Sequence, residues 1–277
     1  MTWAPVVTLT TDFGLADPYV AEVKAMLLAQ WRRWPEVAAG ERTPPPVVDV
    51  SHAVPPGDVA AAAWLVARTC PRFPAGAVHV AVVDPGVGTD RPAVAARAGG
   101  HLYVAPGNGL LAHLRAAPDL EVVRLDVPLY HAGGGDGPAP TFHGRDLFAV
   151  VAAHLAAGVP LTQVGTPAGA ETLGEPPRPE LPAGALGRVV WVDRFGNAIT
   201  DIPAGDPRLA GEGVRLRCGD AVAAGPYRTF GAAPPGVPFW YRGSGGTVEL
   251  AARDADGAAR WGWRPGRPVL PAAKENR

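Results

Sequence analysis

Lysine is nearly absent from this 277-residue chain: Lys24 and Lys274 are the only two, so 23 of the 25 basic residues are arginine. Together with abundant alanine, 35 glycines and 32 prolines, this reads as a genome-wide codon bias. A lone glycine or proline is therefore weak punctuation, and only one beside a hydrophobic pattern counts. Cysteine is equally scarce. Cys70 and Cys218 are too few and too far apart for a disulfide framework or a zinc site, and both are expected as buried, inert thiols. The longest apolar runs, Val78–Val83 and Leu147–Ala157, fall well short of the roughly 20 residues of a membrane span. Met1–Ala25 lacks the charged start and apolar middle of a signal peptide. With 26 acidic against 25 basic residues there is no global positive field to hold nucleic acid. The expectation is a cytoplasmic protein that uses neither nucleic acid nor membrane.

Common catalytic signatures are missing too. Gly86-Val87-Gly88-Thr89-Asp90-Arg91 begins like a dinucleotide loop but has no third glycine. There is no P-loop and no His-Glu-x-x-His helix, and Gly243-Ser244-Gly245 lacks the spacing of a nucleophile elbow. Histidines 52, 79, 101, 113, 131, 143 and 154 form no close ligand pair, so neither metal nor other cofactor is expected.

What is present is enough apolar sequence for a sizeable core: 47% hydrophobic against 18% charged. The first two thirds alternate short apolar runs with helical patterns, as βαβ units do. Val6–Thr10 reads as a buried strand ending at Thr11-Asp12-Phe13-Gly14, followed by a helix capped by Asp17 with Pro18 at its first position. Strands are predicted at Val47–Val50, Val78–Val83, Ala93–Ala96, His101–Ala105 and Glu121–Leu125, and helices at Val59–Arg68 and Asp146–Ala157. Val78–Val83 is apolar at nearly every position, as in a central parallel strand buried on both faces. Residues 166–187 are rich in Pro, Gly and Glu. Beyond them come Val189–Asp193, Val214–Cys218 and Thr247–Ala251, short strands with no convincing helix. The expected architecture is thus an α/β domain over 1–170 with a mostly parallel sheet, a linker at 171–183, and a smaller antiparallel β-barrel domain over 184–277.

Four clusters carry chemistry. Asp12 ends the first strand, where a carboxylate serves either a turn or the two hydroxyls of a ribose. Asp84 ends the third strand, seven residues before Arg91, a spacing that suits both a structural ion pair and a reactive pair. His143, in Thr141-Phe142-His143-Gly144-Arg145-Asp146, precedes a helix with glycine beside it, leaving a structural or a ligand-facing role open. Asp193-Arg194-Phe195-Gly196-Asn197 and Arg242-Gly243-Ser244-Gly245-Gly246 are explained most cheaply as turns.

Taken together, these segments resemble one family. Thr10-Thr11-Asp12-Phe13-Gly14, Asp49-Val50-Ser51-His52, Val82-Val83-Asp84-Pro85-Gly86-Val87-Gly88-Thr89, Thr141 to Asp146 and Asp193 to Asn197 occur in the order found in the S-adenosylmethionine hydroxide adenosyltransferases, or SAM hydrolases, relatives of fluorinase and chlorinase. The resemblance implies an N-terminal α/β domain, a C-terminal β-barrel, a homotrimer with the substrate between neighbouring subunits, and cleavage of S-adenosylmethionine by water to adenosine and methionine. It places catalysis on Asp84, Arg91 and His143. Substrate binding falls to Asp12 at the ribose, Asp193 at the amino group, and Asn197 and Ser244 near the methionine and adenine ends. The chain departs from the family pattern at Gly107, Val150 and Asp201, none of which removes the Asp-Arg-His set. Three rival readings follow from the same residues. A halide-using enzyme would carry tyrosine and serine in place of His143 and Gly144. A non-catalytic SAM-binding trimer could dispense with Asp84, Arg91 and His143. A metal-dependent hydrolase would use Asp12, Asp84 and His143 as ligands.

Overall fold

The computed structural model describes residues 5–133, 137–177, 180–211 and 213–273. Positions 178 and 179 of the expected linker lie outside these. The chain divides into two compact units, Met1–Pro177 and Arg178–Arg277.

The N-terminal unit is built on a seven-stranded sheet: β1 (Val7–Thr11), β2 (Val47–Ser51), β3 (Val78–Val82), β4 (Ala93–Ala98), β5 (His101–Pro106), β6 (Glu121–Arg124) and β7 (Thr166–Ala168). Their order is β2-β1-β3-β5-β4-β6-β7. The first four in that order run parallel, while β4, β6 and β7 add an antiparallel flank. The change of direction comes at Gly99-Gly100, both with positive φ (57° and 78°), which suits the tight turn joining β4 to β5. Every residue of β1 and β3 is buried, including Thr8, Thr10, Thr11 and His79, as strands covered on both faces require. On one face Val7, Leu9, Val78, Val80 and Val82 join Val23, Leu27 and Trp31 of α1 (Tyr19–Trp31) and Val151 and Leu155 of α4 (Ala149–Ala156). The Trp31 indole N–H donates to the Ala153 carbonyl at 3.1 Å, so this large buried ring leaves no donor unmet. The short α2 (Pro35–Ala38) follows α1, and α3 (Val59–Thr69) is capped by Asp58, whose carboxylate accepts from Ala61 N–H.

Three local expectations are corrected. Asp17 is not the cap of α1: the chain enters through Pro18, and no side chain caps that end. The helix predicted from Asp146 starts earlier, as a π-helical turn over Gly144–Phe148 that runs into α4. Part of the Pro/Gly-rich stretch after Gly165 is sheet, since β7 pairs with β6.

The C-terminal unit is a closed barrel of seven strands: β8 (Gly187–Val192), β9 (Ala198–Pro203), β10 (Arg215–Cys218), β11 (Ala221–Tyr227), β12 (Pro238–Arg242), β13 (Thr247–Ala252) and β14 (Pro268–Ala272), with the one-turn helix α5 (Gly257–Trp261) beside it. The barrel order is β10-β11-β12-β13-β9-β8-β14, antiparallel except where β11 meets β12. Val189, Ile202, Leu216, Trp240, Leu250 and Val269 fill its interior. No described helix is long and apolar enough to cross a membrane.

Candidate active site

β1 and β3 are parallel neighbours with Thr11 opposite Val82, so the chain leaves both at the same sheet edge. The order β2-β1-β3 puts the topological switch between these two strands; Asp12 follows the last residue of β1 directly, and Asp84 lies two residues past the end of β3. Both carboxylates line one pocket of about 200 Å³, together with Phe13, Phe142, His143 and Gly144.

Arg91 completes the arrangement. Its Nε donates to Asp84 Oδ1 at 2.7 Å, and its Nη2 donates to Asp84 Oδ2. The same Nη2 lies 2.9 Å from His143 Nδ1. The pair is largely withdrawn from solvent, with the arginine side chain 10% and the aspartate side chain 5% exposed. A fixed fork on a carboxylate in such surroundings is a strong, directional contact. Three further contacts hold it. Arg91 Nη1 donates to the Pro92 carbonyl at 3.1 Å, and its guanidinium lies 5.5 Å from the Phe148 ring centroid. Asn108 Nδ2 donates to the Val83 carbonyl at 2.9 Å, pinning the backbone next to Asp84. At Gly88 (φ 78°) a Cβ would stand 2.6 Å from the Pro140 carbonyl oxygen, so only glycine lets the 86–91 loop lie against the segment leading to His143.

Burial, then the positive charge of Arg91, lowers the His143 pKa below its ordinary value, outweighing the opposite pull of Asp84. The ring is therefore neutral at neutral pH. Since an arginine nitrogen only donates, Nδ1 is the acceptor and the ring proton sits on Nε2. Asp12 accepts from Gly57 N–H through Oδ2 at 2.8 Å, which orients its carboxylate. Phe13, Tyr19 and Phe142 pack edge-to-face, 5.5 to 6.0 Å between centroids, beside this pocket. Among the described residues no group of three metal-ligating side chains gathers, and both Asp84 oxygens are already engaged by Arg91.

The remaining sequence-predicted residues belong to the barrel. Asp193 organises the β8–β9 turn: Oδ1 accepts from Phe195 N–H and Asn197 N–H, both at 2.9 Å, and Oδ2 from Asn197 Nδ2 at 2.8 Å. Asp193 and Asn197 line a cleft of about 580 Å³ with Phe195, Phe230, Tyr241 and Asp254. Ser244 stands in the β12–β13 turn and does not line that cleft. Sequence reading brought Asp12, Asp84, Arg91 and His143 to one place but missed Asn108, Phe13 and Phe142. A lone asparagine after a strand and two phenylalanines beside motif residues carry no periodic signal that separates them from turn and core.

The comparisons with known proteins follow the same division. The SAM hydroxide adenosyltransferase N-terminal domain matches residues 7–165 and the corresponding C-terminal domain matches residues 187–270. An (R)-S-adenosyl-L-methionine hydrolase of Thermus thermophilus is 43% identical over 94% of this chain and 96% of its own. A fluorinase of Nocardia brasiliensis is 29% identical over 76% of this chain and 75% of its own. Among solved structures, an uncharacterized conserved protein from Thermotoga maritima superposes with a TM-score of 0.78 at 27% identity, covering 96% of this chain and all of that one. With both of its units matched in register, the chain belongs to the SAM hydroxide adenosyltransferase family.

Proposed function

We propose that this protein hydrolyses S-adenosyl-L-methionine to adenosine and L-methionine, with Asp84, Arg91 and His143 acting on the attacking water. The observation that carries the reading is that Arg91 bridges Asp84 and His143, both of which line one pocket with Asp12 at the adjoining strand end. A sulfonium bound to C5′ already departs as a neutral thioether, so no acid is needed for the leaving group. The barrier lies with the nucleophile, which must be desolvated, aligned and given hydroxide character. His143, with its proton on Nε2, donates to the water oxygen and holds it in line. Arg91 supplies permanent positive charge that favours a developing hydroxide. The unused lone pairs of Asp84 accept the departing proton. The water oxygen bonds to C5′, the C5′–S pair passes to sulfur, and the proton leaves through Asp84 to solvent.

Asp12, steadied by Gly57, binds the ribose hydroxyls. Asp193, Asn197 and Ser244 bind the amino acid and base ends in a homotrimer, where the barrel of one subunit meets the α/β unit of its neighbour. Phe195, 74% exposed beside Asp193 and Asn197, offers an aromatic surface for such a contact. Water is favoured over halide because His143 and Gly144 occupy the positions expected to hold tyrosine and serine. A Cβ at Gly144 would meet Phe13 and Phe142 ring carbons at 3.3 Å, tighter than an ordinary contact. Incubation with S-adenosylmethionine in isotopically labelled water, followed by mass analysis, tests the proposal. Label in the adenosine 5′-hydroxyl is expected. A halogenated nucleoside in a chloride control, or label appearing only in methionine, overturns it.

A further inference from the structure

The barrel carries a second concave surface, of about 480 Å³, that shares no lining residue with the cleft at Asp193. Arg217, Arg264 and Arg267 border it, over an apolar floor of Pro265, Pro268 and Leu270. Arg217 stands on β10 directly across from Leu270 on β14. Arg264 and Arg267 bracket the turn that enters β14, where Arg267 N–H donates to the Arg264 carbonyl at 3.2 Å. The Arg267 guanidinium is seated on Gly219, where a Cβ would come within 2.5 Å of Nη2. Gly219 has φ 62°, so backbone and space both favour glycine at this seat.

No carboxylate lines this surface, and among the described residues none of the three arginines pairs with one. Elsewhere the arginines that converge on a site are neutralised, Arg91 by Asp84 and Arg145 by Glu22 and Asp146. β14 also carries the chain away from the cluster, Val269 pairing with Cys218 but Ala272 with Arg215. Three like charges bordering one concavity repel, and an anionic ligand would relieve that repulsion. Guanidinium forks match phosphate oxygens in pairs, and a concavity of this size is of the order that small ligands occupy. We infer that this surface binds an oligophosphate group, as a free oligophosphate or as the phosphate tail of a nucleotide.

Calorimetric titration of the full chain with tripolyphosphate and, separately, with ATP at low salt is the test, with sulfate as the simple-anion control. Saturable binding is expected, weakened at least tenfold in Arg264→Ser and in Arg217→Ser, two exposed positions whose variants should keep the wild-type melting temperature and the turnover of S-adenosylmethionine. ATP binding more tightly than tripolyphosphate places the organic part on the apolar floor, and equal affinities confine recognition to the phosphates; both support the inference. No binding, sulfate binding as tightly as tripolyphosphate, or binding unchanged in both variants overturns it.

Discussion

Arg91 folds back over seven residues to hold both oxygens of Asp84, and the nitrogen that reaches Oδ2 also faces His143 at 2.9 Å. One guanidinium thus sets the geometry of a carboxylate and an imidazole at once. Lysine keeps the charge but not the fork. Arg91→Lys is expected to lower kcat by about a hundredfold while KM moves less than threefold, the pattern of an interaction used mainly in the transition state. Steady-state release of adenosine measures both. A loss carried by KM alone would assign Arg91 to substrate binding.

The same arginine matters to the fold. Arg91→Ala leaves Asp84 as a largely buried carboxylate without its partner, a change that typically costs about 3 kcal/mol or more. Denaturant unfolding should show a lowered midpoint, with Asp84→Asn in the Arg91→Ala background recovering part of it.

On the proposed mechanism, His143 gives the reaction an acid limb. Its pKa lies below 6.5 because of burial and the neighbouring Arg91, so the neutral, active ring persists at pH 7. As pH falls past that lowered value, protonation puts a proton on Nδ1 and sets two cations face to face, ending the Arg91 contact. Turnover should therefore hold near neutrality and decline only on the acid side. His143→Gln, which does not titrate, should be slower throughout and lack this limb. An unaltered acid limb in that variant would rule out His143 as its source.

Asp12 lies beside the reacting centre without touching Arg91. If Asp12 accepts from the ribose hydroxyls as proposed, Asp12→Ala should raise KM roughly tenfold or more, since a lost hydrogen bond to a charged group costs about 1.5–3 kcal/mol, with a smaller change in kcat.

Acid stability depends on other histidines. His79 is packed between Thr8 Oγ1 at 2.8 Å and His101 Nδ1 at 3.2 Å, and burial lowers its pKa to about 3. His113 is likewise lowered by burial, to about 4. In the unfolded chain both titrate near 6.5, so below that pH the unfolded state takes up protons that the native state refuses. Stability contributed by the neutral rings is complete above 6.5 and drains away toward pH 3 to 4. Urea midpoints should fall between pH 7.5 and 5, and fall less in His79→Gln.

The parts legible in the sequence are those where one physical demand dominates. Val78–Val83 reads as a central strand because His79 is its only polar residue, and the carboxylates at the ends of β1 and β3 stood out after runs of β-branched residues. The barrel was legible only in part. β11 is built from Ala-Val-Ala-Ala-Gly-Pro-Tyr and β14 from Pro-Val-Leu-Pro-Ala, in which alanine and proline hide the alternation; β11 is a strand through its pairing with β10 and β12, and β14 through ladder closure with β10 and β8 far back along the chain. Arg91 was visible as a partner for Asp84 from spacing alone. The contact of its Nη2 with His143 joins positions 52 residues apart, which local pattern does not encode.

The two acids issue from adjoining strands whose register the sheet fixes, whereas the imidazole arrives on a separate stretch, Thr141 to Gly144. On the proposed mechanism, Asp12 and Asp84 thus depend on the sheet for their placement, and His143 does not. If His143 acts on the nucleophile as proposed, changes in the few residues around position 143 could admit a different small nucleophile without rebuilding the strand ends that carry Asp12 and Asp84. Relatives named as hydrolases and as fluorinases are what such a modular scaffold would produce.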